Sequence, residues 1–341
     1  MSTERILVIG PSWVGDMVMA QSLFATLQQR FVPEALDVLA PAWSRPLTER
    51  MREVGGSIDM PVGHGSVMLG ERWRLARQLA KRGYTRAYVL PNSLKSALIP
   101  AFAGIDRRVG WRGEMRYGLL NDLRRLEPAR YPLMVERFVA LAYEPGVALP
   151  EHLPRPSLVA DTDRYPDLLQ TYGLERQRPI LALCPGAEFG PSKRWPSRHY
   201  SRVAEAKLAE GWQVWVFGSG KDAAVAQRIY AQLPQSRSRC HLLAGKTSLA
   251  DAIDLLSMAS AVVSNDSGLM HIAAALNRPL VAVYGSTSAA FTPPLGSAVE
   301  TLSLALSCQP CFARECPLGH KQCLEELAPE QVLAALARLG V

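Results

Sequence analysis

Short apolar segments alternate with amphipathic segments along this chain, and the whole alternation occurs twice. In the first half the apolar segments lie at 6–10, 36–40, 86–91 and 108–111, and in the second half at 180–186, 213–218, 241–244, 261–264 and 280–284. Helical patterns separate them, among others at 17–30, 45–52, 70–82, 131–143, 197–210 and 248–259. A short apolar run is typical of a strand that is buried on both faces of a parallel sheet. The alternation therefore predicts two α/β units with parallel sheets and right-handed crossovers.

The length of 341 residues exceeds what one hydrophobic core usually supports. Prolines cluster between the two halves, at positions 145, 150, 154, 156, 166 and 179, and proline at this density marks a boundary. We expect an N-terminal Rossmann-like domain at 1–165, a C-terminal one at 175–328, and a last helix at 329–341 that packs on either of them. The favoured architecture has two Rossmann-like domains that face each other across a cleft.

The composition is that of an ordinary soluble globular protein, with 48% hydrophobic and 20% charged residues. No secretory signal is expected, because the first five residues run directly into a predicted strand. The charge-free stretch 279–299 is long enough to span a membrane, but Gly, Ser, Thr and Pro interrupt it. We therefore expect a cytoplasmic protein.

The chain carries a formal charge of +7, with 38 basic and 31 acidic residues. Such a surplus favours an anionic partner, namely nucleic acid, a phospholipid surface or a phosphorylated substrate. No zinc finger, helix-turn-helix pattern or RNP motif is recognisable, so nucleic acid is not expected.

One polar run, Ser264–His271, follows a predicted strand and opens a predicted helix. A helix entered through Asp, Ser and Gly presents unpaired N–H groups and the positive end of its dipole, which favours anions. Gly268 allows a ligand to approach the backbone closely. The run predicts a phosphate or nucleotide site, and an ordinary helix cap with a buried histidine is the alternative.

A second loop, Pro11–Asp16, follows the first predicted strand. Ligands bind at the carboxyl ends of strands in open α/β sheets, so Asp16 is either a general base or a helix cap. The loop is not a dinucleotide fingerprint, because only Gly10 and Gly15 of the required three glycines occur. Two further strand-to-helix turns, Gly186–Pro196 and Gly218–Asp222, carry Lys193, Arg194 and Lys221 and fit a nucleotide diphosphate. No cluster of Asp and Glu is visible to hold Mg²⁺.

Taken together, these motifs resemble the ADP-heptose:lipopolysaccharide heptosyltransferases over nearly the whole chain. The segments that carry the resemblance are 9–17, 40–43, 90–93, 110–122, 184–190, 193–196 and 265–271. The resemblance implies a GT-B fold, no metal requirement and inversion at the sugar carbon. It also implies ADP-L-glycero-D-manno-heptose as donor and heptosyl-Kdo₂-lipid A as acceptor, at the cytoplasmic face of the inner membrane.

The resemblance further implies roles for single residues. Asp16 is the base that takes the proton from the acceptor hydroxyl. The predicted donor contacts are Lys193, Glu188, Ser192, Asp222, Thr247, Asp266, Ser267, Gly268, Leu269, Met270 and His271, and a purely structural role for Asp266 stays open. The predicted acceptor contacts are Ser12, Trp13, Arg107, Arg112 and Arg116, because guanidinium groups pair well with phosphates and carboxylates. A solvated basic face is the alternative for these arginines.

Four of the six cysteines, Cys308, Cys311, Cys316 and Cys323, are closely spaced near the end of the chain. Disulfides are not expected in the cytoplasm. Reduced thiols in a loop are the first interpretation, and a structural zinc or iron–sulfur site is the alternative. No cofactor is expected to be required for the reaction.

Two alternatives to this function remain. One is a heptosyltransferase that adds a different core heptose, either the first or a later one. The other is a sugar-nucleotide epimerase of the same fold, or a silent nucleotide-binding module, because one fold serves several functions.

Overall fold

The computed structural model describes residues 4–63, 67–233 and 235–341. The chain divides into two compact units, Met1–Leu158 and Val159–Val341. The division falls before the predicted domain end at residue 165, because the segment after Leu158 is bonded to the second unit. The Asp161 N–H donates to Asp254 Oδ1 at 3.0 Å, and Arg164 forms an ion pair with the same carboxylate at 2.7 Å.

The first unit is built on a six-stranded sheet whose strand order is β3-β2-β1-β4-β5-β6, and all its pairings are parallel. The strands are β1 Arg5–Ile9, β2 Ala35–Pro41, β3 Gly56–Met60, β4 Arg86–Val89, β5 Arg107–Trp111 and β6 Asp122–Arg124. Its helices are α1 Val14–Phe31, α2 Arg45–Thr48, α3 Leu69–Ala80, α4 Leu94–Phe102 and α5 Met134–Val139. The residues of β1 from Ile6 onward are buried, as expected for a central strand that helices cover on both faces.

The second unit repeats this plan. Its sheet has the order β12-β11-β10-β7-β8-β9, again with parallel pairings only. The strands are β7 Ile180–Cys184, β8 Gln213–Val216, β9 Cys240–Leu242, β10 Ala261–Asn265, β11 Leu280–Val283 and β12 Val299–Leu302. The helices are α6 Tyr165–Tyr172, α7 Ser197–Ala209, α8 Ala223–Ala231, α9 Leu249–Ser257, α10 Gly268–Ala275, α11 Gln322–Glu325 and α12 Pro329–Arg338.

Both sheets have a switch point, the place where the strand order changes direction. It lies between β1 and β4 in the first unit and between β7 and β10 in the second. Ligands of doubly wound sheets bind beyond the carboxyl ends of the strands at such a point. The switch points therefore direct attention to the loops after these four strands.

The structure differs from the sequence-based expectation mainly at the sheet edges. Strands β3, β6 and β12 were not predicted, because they are short or contain Gly, Ser and Asp and are only partly buried. The predicted helix at 131–143 is shorter, since α5 ends at Val139 and a 3₁₀ turn follows it. The predicted helix at 45–52 likewise shrinks to α2. The last helix packs on the second unit, where Val332 and Leu336 join its hydrophobic core.

No helix in the described part of the chain is long and apolar enough to cross a membrane.

Candidate active site

Asn265, the last residue of β10, ties together the two loops at the switch point of the second unit. Its Oδ1 accepts hydrogen bonds from the Trp195 N–H and the Tyr200 hydroxyl, both at 3.0 Å. Its Nδ2 donates to the Pro185 carbonyl at 2.6 Å. Because its carbonyl oxygen accepts and its NH₂ group donates, this buried side-chain amide fixes the loop after β7 against the end of β10. Sequence reasoning did not single out this role, although Asn265 stands at a strand end beside the predicted site.

The centre of this site is a buried ion pair between Lys193 and Asp266. Lys193 Nζ lies 2.6 Å from Asp266 Oδ2, and Asp266 is 4% exposed. The Thr287 hydroxyl donates to the same Oδ2 at 2.6 Å. The ammonium group also lies 5.0 Å from the centre of the Phe189 ring, in cation–π range. The structure thus brings together two predicted donor contacts and holds the lysine in one place.

Thr287 was missed by the sequence analysis. It lies in the run Ser286–Ser288, shortly after β11, which is the neighbour of β10 in the sheet. A polar run after a strand next to the switch point was the signal that could have identified it.

The loop after β10 starts helix α10. Ser267 is the N-cap, and its hydroxyl accepts from the Met270 N–H at 3.4 Å. The first amides of a helix, here those of Gly268 and Leu269, have no acceptor within the helix and favour a negative charge. The Met270 side chain points elsewhere, since it is fully buried and its sulfur accepts from the Tyr284 hydroxyl at 3.5 Å. Of the atoms of Met270, only those of the backbone can therefore contact a donor molecule.

His271 lies one turn into α10 and is 5% exposed. The pKa of its imidazole is lowered to about 4, mainly by burial, while the charge of Asp266 raises it and that of Lys193 lowers it. The ring is therefore neutral at neutral pH, with one N–H donor and one acceptor nitrogen. It can donate a hydrogen bond to a ligand, but it supplies no positive charge.

The other predicted donor contacts have mainly local partners. Asp222 caps its own turn, accepting from the Ser219 N–H at 2.9 Å and from its hydroxyl at 2.8 Å. It is also enclosed, since a Cβ on Gly186 would lie 2.5 Å from Asp222 Oδ2. Ser192 is buried and its hydroxyl lies 3.0 Å from that of Ser286. The partners of the Asp222 and Ser192 side chains thus belong to the protein itself, and their donor contacts stay predictions.

Two further predicted donor contacts lie nearer the surface. Glu188 is exposed and forms an ion pair with Lys221. Thr247 lies in the turn before α9, where its N–H donates to the Leu243 carbonyl at 3.4 Å.

At the switch point of the first unit, Asp16 lies in the first turn of α1 and is partly buried. Gly10 permits the tight exit from β1, since a Cβ there would lie 2.7 Å from Met17 Cε. Trp13 forms the N-cap position and is 51% exposed, and Ser12 beside it is partly buried. A carboxylate in the first turn is stabilised by the helix dipole, and this one stays accessible to solvent.

One of the predicted acceptor contacts in the basic segment of the first unit is already paired with carboxylates of the protein. Arg107 forms ion pairs with Asp122 at 2.9 Å and with Glu144 at 2.7 Å. Arg112 is exposed.

Arg116 contradicts the prediction of an acceptor contact, because its side chain is 0% exposed. Its guanidinium donates to the Pro91 carbonyl at 2.6 Å, to Asn92 Oδ1 at 3.2 Å and to the Trp111 carbonyl. Arg116 therefore fixes the loop after β4, at the switch point, from inside the protein.

Two parallel six-stranded sheets of the same strand order, each in its own unit, define an α/β protein with a GT-B-like fold. The chain belongs to glycosyltransferase family 9 (heptosyltransferase), whose model matches residues 72–322. It is therefore a glycosyltransferase of lipopolysaccharide biosynthesis.

The chain is 49% identical to lipopolysaccharide heptosyltransferase 2 of Escherichia coli strain K12, covering 98% of each chain. It is 47% identical to lipooligosaccharide heptosyltransferase 2 of Haemophilus influenzae, covering 98% of this chain and 99% of that protein. Among solved structures, it is similar to the E. coli ADP-heptose lps heptosyltransferase II, with a TM-score of 0.89, 48% identity and 98% of each chain covered.

Proposed function

We propose that this enzyme transfers L-glycero-D-manno-heptose from ADP-heptose to the first heptose of heptosyl-Kdo₂-lipid A, with inversion at the sugar carbon. The observation that carries the proposal is the Lys193–Asp266–Thr287 cluster beside the start of α10. It supplies a fixed cation and backbone N–H groups at one switch point, in a chain that is nearly half identical to a heptosyltransferase 2 over its whole length.

In this proposal the second unit binds the diphosphate of the donor. Lys193 and the amides of Gly268 and Leu269 meet its negative charge, and neutral His271 donates a hydrogen bond. When the bond between the anomeric carbon and the phosphate oxygen breaks, ADP leaves with additional negative charge. A cation and N–H groups already in place then stabilise the transition state more than the ground state. The proposed reaction therefore requires no metal ion.

The first unit supplies the base. Asp16 accepts the proton of the acceptor hydroxyl while that oxygen bonds to the anomeric carbon from the side opposite to the departing ADP. Such proton transfer typically contributes about 10²–10⁴-fold to the rate. Its location in an accessible helix turn after the central strand β1 supports this role. Trp13, Ser12 and Arg112 are the proposed neighbours of the acceptor.

We also propose peripheral binding to the cytoplasmic face of the inner membrane, because the acceptor is a lipid and the chain carries a charge of +7. Each basic residue near an anionic surface contributes about 1 kcal/mol, screened within about 10 Å at 0.1 M salt. The protein should co-sediment with anionic vesicles at low salt, and this binding should be lost near molar salt. Equal binding to neutral and anionic vesicles would contradict it.

The acceptor is tested by assaying heptose transfer from ADP-heptose to two lipids, Kdo₂-lipid A and heptosyl-Kdo₂-lipid A. We expect transfer only to the lipid that carries the first heptose. Transfer to Kdo₂-lipid A instead would make the enzyme one that adds the first heptose. Activity that needs an acceptor with two heptoses would assign it to a later step.

A further inference from the structure

The four clustered cysteines lie around one cavity in the second unit. Cys308, Cys311 and Cys316 belong to the loop between β12 and α11, and Cys323 lies in the first turn of α11. All four line the same cavity, together with Ser192, Ser286 and other residues of the loop. All four are free thiols. Side chains separated by as many as fifteen positions thus line one cavity.

The turn after Cys316 places backbone N–H donors around the cysteine sulfur. Those of residues 318–321 point to it. Gly319 has a φ of +73°, and its N–H also donates to the Cys316 carbonyl at 3.0 Å. A metal-bound sulfur is a thiolate, which accepts hydrogen bonds better than a thiol does. The turn therefore offers N–H donors to a metal-bound Cys316 sulfur.

The other three sulfurs lie near Cys323, close enough for their charges to act on it. Four sulfur ligands on one cavity can be held together by a cation between them, which takes the place of the thiol protons.

We propose that Cys308, Cys311, Cys316 and Cys323 bind a single thiophilic metal ion, zinc or iron, in a tetrahedral site of four thiolates. Four sulfur ligands select these metals over Mg²⁺ or Ca²⁺. In the described part of the chain, no three potential ligands are already arranged around a common point. The cysteine side chains therefore turn inward about their Cα–Cβ bonds when the metal binds, and each bound thiol releases its proton.

The role of this metal is structural. The loop that carries the cysteines is hydrogen-bonded to the loops that carry Lys193 and Thr287. The Ser192 N–H donates to the Arg314 carbonyl at 3.2 Å, and the Phe312 N–H donates to the Ser286 carbonyl at 2.7 Å. A Cβ on Gly190 would lie 2.4 Å from the same Arg314 oxygen. The metal thus stabilises the position of the segment that immediately precedes Lys193. The metal site itself does not depend on the proposed acceptor or mechanism.

The test uses the full-length enzyme, purified under reducing conditions without chelators from medium that contains zinc and iron. Metal analysis should give about one zinc or iron per chain. Alkylation of the native protein, followed by mass spectrometry, should label the four cysteines only after a chelator has removed the metal. Adding Zn²⁺ to the metal-free protein should release protons. These measurements need no variant and so do not depend on the folding of one.

Variants locate the site. Cys316→Ser and Cys323→Ser should lose the metal, whereas the control Cys240→Ala, which removes a thiol buried in β9, should retain it. The proposal is overturned if reduced wild-type protein holds no stoichiometric metal even after incubation with Zn²⁺ and Fe²⁺. Unchanged metal content in both serine variants, or equal alkylation with and without chelator, would overturn it as well.

Discussion

The two switch points occur in sheets of the same strand order, but the aspartates in the loops after β10 and β1 have different surroundings. After β10, Asp266 is 4% exposed and accepts from both Lys193 and Thr287. After β1, Asp16 is partly buried in the first turn of a helix, beside a Trp13 side chain that is 51% exposed. Asp266 is thus buried among its donors, whereas Asp16 is only partly buried.

This difference fits the different tasks proposed for the two carboxylates. A buried carboxylate bonded to two donors, one of them a cation, positions its partners. An accessible carboxylate has room to approach a hydroxyl and accept its proton. We therefore expect loss of Asp16 to affect the reaction and loss of the Asp266 partners to affect donor binding and stability.

The largest effect is expected for Asp16→Asn, which keeps the shape of the side chain but removes the base. Turnover should fall at least about a hundredfold while the affinity for ADP stays the same. Steady-state kinetics and calorimetry with ADP measure the two quantities. Asp106→Asn, at an exposed position of the same unit, is the matched control. Turnover of Asp16→Asn within a few-fold of wild type would remove Asp16 from the mechanism.

Lys193→Ala should weaken ADP binding and slow turnover by about tenfold each, because the cation acts in the ground state and more strongly in the transition state. Calorimetry with ADP and steady-state kinetics provide the measurement. Arg202→Ala removes an exposed cation of the same unit, on α7, and should change neither value. If Lys193→Ala behaves like Arg202→Ala, the ion pair between Lys193 and Asp266 is structural only.

The neutral His271 predicts a dependence of stability on pH. Burial lowers the folded-state pKa to about 4 from the ordinary value of 6.5, so between these values the unfolded chain binds a proton that the folded chain does not. Stability is therefore fully present above pH 6.5 and is lost as pH falls towards 4. At pH 5 the loss from this group is about 2 kcal/mol.

The measurement is the free energy of unfolding by urea at pH 7.5 and pH 5, for wild type and for His271→Gln. The variant should lose about 2 kcal/mol less than wild type over this range. His152→Gln, which removes an exposed histidine, is the control and should follow wild type. An equal loss in wild type and His271→Gln would show that His271 is protonated as readily in the folded state.

The smallest effect is expected for Thr287→Val, which keeps the volume of the side chain and removes the hydroxyl bonded to Asp266. Loss of one hydrogen bond to a charged group should lower stability by about 1–2 kcal/mol and ADP affinity a few-fold. Thermal unfolding and calorimetry measure both, and Thr287→Ser should restore them. If valine and serine give the same values, the hydroxyl does not position Asp266.

The central strands and the location of the two key loops at strand ends could be predicted from the sequence. Buried parallel strands appear as continuous apolar runs, and a helix entered through Asp266, Ser267 and Gly268 has a local signature. The edge strands β3, β6 and β12 could not be predicted in this way, because they are held by one neighbouring strand more than by their own apolar residues.

The sequence by itself determined the fold class, the family resemblance and the positions of Asp16, Lys193 and the Asp266–His271 run, because each depends on local pattern and spacing. Only the tertiary structure decided which side chains meet. In the folded protein Thr287, which follows the neighbouring strand β11, donates a hydrogen bond to Asp266. Asp222 accepts hydrogen bonds within its own turn. The buried Arg116 donates to a carbonyl group of a loop more than twenty residues away. Burial and hydrogen bonding depend on neighbours that are distant in the chain. Arg116, which was predicted to bind acceptor anions at the surface, therefore stabilises a loop from inside the protein.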